Sequence, residues 1–257
     1  MEKELKTVFD KYDESFKKFG ELLKDEEPKK SNMPQKLSQF NIRIKLAIDI
    51  QISFKNEVAR TTTERVRATY ELFIKLMESW NAYDVLRSYA LSKDKDGIGD
   101  KYTKPKPKPK SKPHPYNPFL DTVLVDSDSR VVLHSKLESL KSKCKEDAKF
   151  NNKFKDLLVR FKDDENIGTT LKDSCQNLIN YFYGSDTILE PEILALIYTT
   201  RNMYYHNGEV AGKDLDYGRR IILMRLLISC LQEYMLLLAT YIIEKEIAIK
   251  INENKNK

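Results

Sequence analysis

The chain has 257 residues, with 45 basic against 39 acidic side chains and a net charge of +6 at neutral pH. Hydrophobic residues at 40% and charged residues at 33% suit a soluble, helix-rich protein of one large domain or two modest ones better than a disordered chain. The charge balance favours polyanionic partners only mildly, and eight glycines without GxGxxG or GxxxxGK[ST] exclude the usual backbone cradles for nucleotide phosphates.

The cysteines, Cys144, Cys175 and Cys230, are odd in number and widely spaced, without CxxC or Cys/His zinc spacing. Reduced thiols in a cytoplasmic protein are expected, with no structural metal and no cofactor. The Lys-, Glu- and Asp-rich N-terminus does not fit a secretory signal.

In chain order, Leu5, Val8, Phe9, Tyr12, Phe16, Phe19 and Leu23 recur at helical spacing and predict an amphipathic helix ending before Pro28. In "FNIRIKLAIDIQISF", Phe40 to Phe54, apolar residues alternate strictly. Period two predicts a β segment over 40–54, whose one plausible partner is "TVLV" at 122–125; a helix buried on several faces is the alternative. Val66, Tyr70, Phe73, Leu76, Met77, Trp80 and Tyr83 then form a helical stripe reaching about Leu91, with Trp80 as a core anchor. "DKDGIGD", Asp94 to Asp100, is a solvated turn: aligning Gly97 with the glycine of a calcium loop puts Thr103 where the bidentate Glu belongs.

"TKPKPKPKSKPHP", Thr103 to Pro115, has proline at nearly every second position, which forbids helix. It marks a Lys/Pro-rich linker over 101–120 between an N-terminal, mainly helical region, 1–100, and a helical bundle, 121–257. The segment is a solvated spacer, or its lysines, Lys104, Lys106 and Lys108 among them, grip phosphates.

Five helices are expected beyond it. Leu133, Leu137, Leu140 and Cys144 share a face of the first; Phe150, Phe154, Leu157 and Phe161 mark the second. The third runs from a Thr169/Thr170 cap to Gly184, the fourth from Pro191 to Asn207-Gly208, and the fifth from about Asp216 past Ile249. The fifth contains "LLISCLQEYMLLLATYII", Leu226 to Ile243, long enough to cross a bilayer. Gln232 and Glu233 at its centre argue for a buried or dimer-packed helix and no membrane span. Its surplus of Leu226, Leu227, Leu231, Tyr234, Leu238 and Ile242 is a candidate surface for a partner chain.

"TTRNMYYHNG", Thr199 to Gly208, ends the fourth helix with Arg201, Asn202 and His206, one of three histidines in the chain. On an ideal helix Ile193, Leu196, Ile197, Thr200 and Tyr204 share a face, with Arg201 at its flank. Asn202 and His206, four apart, point away from that stripe, so His206 does not fit a core histidine. Histidine titrates near neutral pH and moves protons, and arginine offers phosphate a planar donor fork. His134 lies beside the apolar stripe of its helix with no charged companion.

"RNMYYHNG" resembles the R-polar-x-x-x-H signature of the HEPN superfamily, and the resemblance covers about residues 121–257. It implies an all-α bundle and a metal-independent endoribonuclease with Arg201, Asn202 and His206 as active-site residues. It further implies a homodimer lining one cleft with two motifs, a toxin or anti-phage role, and an antitoxin or other regulatory protein as partner. A non-catalytic relative that binds RNA or nucleotide is the second implication. Gly208 stands where HEPN toxins silenced by a nucleotidyltransferase carry Tyr, a departure from that form of regulation.

Overall fold

A computed structural model describes residues 3–26, 33–51, 64–93, 128–165, 167–184, 191–207 and 215–255. The linker, with Lys104, Lys106 and Lys108, and the "TVLV" run lie outside the described residues. The elements are α1 (Lys3–Glu26), α2 (Gln35–Asp49), α3 (Glu64–Lys93), α4 (Asp128–Glu146), α5 (Ala148–Asp163), α6 (Thr169–Tyr183), α7 (Pro191–Asn207) and α8 (Tyr217–Lys255), with no strand among the described residues. The all-α class expected from the sequence is the class observed.

The 39-residue α8 organises the rest. α1, α3 and α4 lie along it, α2 packs on α3, and α5, α6 and α7 follow one another round from α4. The core faces are those the spacing requires: Leu5, Tyr12 and Phe19 on α1, and Leu133, Leu137, Leu140 and Cys144 on α4. On α5 the buried set is Phe150, Phe154, Leu157 and Phe161. Asp147 caps α5 by accepting from Phe150 N–H at 2.9 Å, and its carboxylate takes a two-point grip from Arg219 at 2.9 and 3.0 Å. Arg219 also bonds Asp216, so the start of α8 is fixed against the start of α5. On α6 the N-cap is Gly168, without a side-chain bond, and Thr169 is already helical; the expected threonine cap is not formed.

The segment expected as a strand is helical through Asp49, and residues 52–54 lie outside the described residues. Leu37, Phe40, Ile44 and Ala47 form one buried face, while Ile42 and Leu46, which alternation would bury beside them, are exposed. Lys36 Nζ donates to the Ser88 carbonyl at 3.0 Å and Arg43 to Glu78 at 2.9 Å, fixing α2 antiparallel on α3. Lys45 bonds Asp13 of α1 at 3.0 Å.

The apolar surplus of α8 is consumed within the chain. Leu227, Leu231, Tyr234, Leu238 and Ile242 are buried under α1, α3 and α4, and Leu226 packs against the same core. α8 is long and apolar enough to span a bilayer, yet 67% of its apolar stretch is covered by the protein itself. Its central polar pair is paired inside the fold. Gln232 Nε2 donates to Ser79 Oγ at 3.0 Å and contacts the Ala47 carbonyl at 3.4 Å, and Glu233 accepts from Lys136 at 2.9 Å and Ser229 at 3.0 Å.

Two expectations follow, both read from chemical denaturation. Ile42→Asp changes stability by less than about 0.5 kcal/mol, whereas Ile44→Asp destabilises by more than about 4 kcal/mol through an unpaired buried charge; equal losses would restore the strand. Lys136→Met strands the Glu233 carboxylate and costs about 3–5 kcal/mol, most of it recovered when Glu233→Gln is added. Equal losses in the single and double variants would show that the pair is not what holds this layer.

Candidate active site

The motif sits where α7 leaves the core. From Glu192 to Ile197 every α7 residue is buried, since α3, α4, α6 and α8 all pack against this helix. Thr199 donates back to the Ala195 carbonyl at 2.8 Å, and Thr200 is buried beside it. Arg201 and Asn202 are half-buried. Arg201 Nη1 donates to Asn202 Oδ1 at 2.9 Å, so Asn202 holds the guanidinium. His206 belongs to the last turn of α7, but its side chain lies outside the described residues. His134 is exposed on α4.

The other half of the site comes from α3. The Trp80 ring, itself buried, lies 5.1 Å from Tyr198 of α7 and 5.1 Å from Tyr83. One and two turns further on the same face stand Asp84 and Arg87, with Arg87 Nη1 3.8 Å from the Asp84 carboxylate. Burial raises the Asp84 carboxyl above the usual carboxylate range. The Arg87 and Arg201 charges and the Trp80 indole N–H, which donates to it, pull it back only in part. Helical spacing marks Trp80 as core and gives Asp84 and Arg87 no role of their own. Their spacing, 80, 84 and 87, was the available signal, but nothing in it shows that α3 lies against α7.

No thiol takes part. The three cysteines are free and buried, and burial pushes Cys144 and Cys175 up to about 12. Among the described residues no three His, Cys, Asp or Glu side chains are grouped to hold a metal ion.

Compared with family models, with curated proteins and with solved structures, the chain matches none. What the site is for therefore rests on its residues.

Because the Asp84 carboxyl is raised in the native state, that state holds the proton to higher pH than the unfolded chain. Stability attributable to Asp84 is therefore full below the unfolded value near 3.9 and declines as pH rises through the raised native value. The melting temperature of the wild type should gain on that of Asp84→Asn as pH falls from neutral towards about 4. A pH-independent difference would place Asp84 in an ordinary solvated setting.

Proposed function

We propose that the chain is a metal-independent endoribonuclease of HEPN type, cytoplasmic, acting as a toxin or anti-phage effector. The observation that carries this reading is the Arg201–Asn202 pair held half-buried at the emerging end of α7, with His206 one helical turn beyond Asn202. Arg87 and Arg201 against Asp84 leave the α3–α7 junction with one net positive charge, which suits a phosphodiester.

RNA supplies its own nucleophile. His206 takes the 2′-hydroxyl proton, O2′ bonds to phosphorus, and the P–O5′ bond breaks as O5′ receives a proton. The products are a 2′,3′-cyclic phosphate and a 5′-hydroxyl. Arg201 stabilises charge on the non-bridging oxygens, and Asn202 positions Arg201. A homodimer placing two motifs in one cleft supplies a second histidine as the acid. With the α8 face filled internally, the dimer uses another surface. The Lys104, Lys106 and Lys108 segment adds non-specific grip on the backbone, and a regulatory protein restrains the activity.

The second reading, a non-catalytic RNA- or nucleotide-binding module, is favoured by the Asp84 carboxylate beside Arg201, which opposes an incoming phosphate.

Purified protein is incubated with a mixed RNA pool in excess EDTA. Wild type should yield cyclic-phosphate ends, and Arg201→Ala and His206→Ala should each lose about 10²- to 10³-fold in rate. RNA retention without cleavage would select the binding module. Cleavage persisting in both variants would remove the motif from the chemistry.

A further inference from the structure

A cavity of about 490 Å3 opens between α1, the end of α2, α3 and α8, and neither Arg201 nor Asn202 lines it. One wall is a single face of α8: Arg225, Ile228, Ser229 and Gln232, at i, i+3, i+4 and i+7. Facing it are Glu71, Leu72 and Lys75 of α3 and Asp49 at the C-terminal end of α2.

The charges on this wall are of two kinds. Lys75 and Glu71 pair with each other at 3.4 Å. Among the described residues Arg225 and Asp49, one of each sign, make no side-chain ion pair or hydrogen bond. The end of α2 adds the partial negative charge of its last carbonyls on the Asp49 side. Gln232 commits its amide hydrogens to Ser79 and Ala47, which leaves its carboxamide oxygen as an acceptor on this wall. Leu5, Ile48, Leu72 and Ile228 supply apolar surface to the same cavity.

The four charged side chains sum to zero, so the cavity offers no net attraction to a polyanion. It offers an anion seat and a cation seat with apolar wall beside them, in a volume within the ~300–1,000 Å3 of small-molecule sites. We propose that it binds a small zwitterion of the α-amino-acid class. The carboxylate meets Arg225, the ammonium meets Asp49 and the C-terminus of α2, and an apolar side chain lies on Leu72 and Ile228. This inference is independent of the ribonuclease reading and survives its failure.

The test is calorimetric titration of the full-length protein with L-leucine and L-phenylalanine. 4-Methylpentanoate (no amine), isoamylamine (no carboxylate) and ATP are run beside them. At least one amino acid should bind saturably, and each one-charge analogue should bind at least about tenfold more weakly, the worth of one charged contact. Arg225→Gln and Asp49→Asn should each weaken binding about tenfold while leaving the ligand-free melting temperature and circular dichroism unchanged, since neither side chain holds a partner among the described residues. The proposal is overturned if neither amino acid binds up to about 10 mM, if the one-charge analogues bind equally well, if ATP binds in their place, or if binding survives both substitutions.

Discussion

The structure depends on the burial of α8 with a glutamine and a glutamate at its centre. A helix apolar on every side must be covered on every side, and two polar groups buried mid-helix must find partners or the cover is lost. Both requirements are met by the same neighbours. Ser79 of α3 and the Ala47 carbonyl of α2 receive Gln232, and Lys136 of α4 meets Glu233. These bonds do more than satisfy polar atoms. Only one axial position of α3 brings Ser79 to Gln232, and only one of α4 brings Lys136 to Glu233, so the polar pair sets the register of a layer whose apolar contacts would tolerate sliding. Tyr89 OH, bonded to Glu246 at 3.0 Å, repeats the device a few turns along the same two helices.

With α3 fixed in this way, the α7 motif acquires its surroundings. The buried stretch from Glu192 to Ile197 cannot move outward without exposing apolar surface, so Arg201 is held at a constant height above the core. Asn202 restrains the guanidinium, whose charge acts on the Asp84 carboxylate, which Arg87 also pairs. A half-buried arginine beside a carboxylate is oriented before any ligand arrives, which lowers the ordering cost of binding a phosphate but makes the phosphate compete with that carboxylate. The same geometry explains why Asp84 is raised rather than lowered. Two cations and an indole donor do not outweigh the loss of water around it.

The C-terminal half was legible because its signals are local. The stripes on α4 and α5, Pro191 opening α7 and the R-N-x-x-x-H spacing are each visible within two or three turns of sequence. α2 was not, because apolar residues from Phe40 to Phe54 satisfy period two as well as they satisfy a helix with two exposed apolar positions. Antiparallel packing on α3 decides between them, and no short window contains it. The apolar excess of α8 is visible in its sequence, but the cover that α1 and α3 supply is not, because both are distant in sequence. Asp84 and Arg87 were missed for the same reason: two charged residues on a long helix gain meaning only once that helix is known to cross α7.

α3 is the element on which both candidate sites converge. Glu71, Leu72 and Lys75 line the cavity, and Trp80, Asp84 and Arg87 meet α7 one to four turns later in the same uninterrupted helix. From Lys75 to Arg87 the rise is about 18 Å, and Ser79, bonded to Gln232, lies between. The Ser79–Gln232 bond therefore fixes both stretches of α3 at once: the cavity lining at Lys75 and the Asp84 and Arg87 pair further along keep one register against α8.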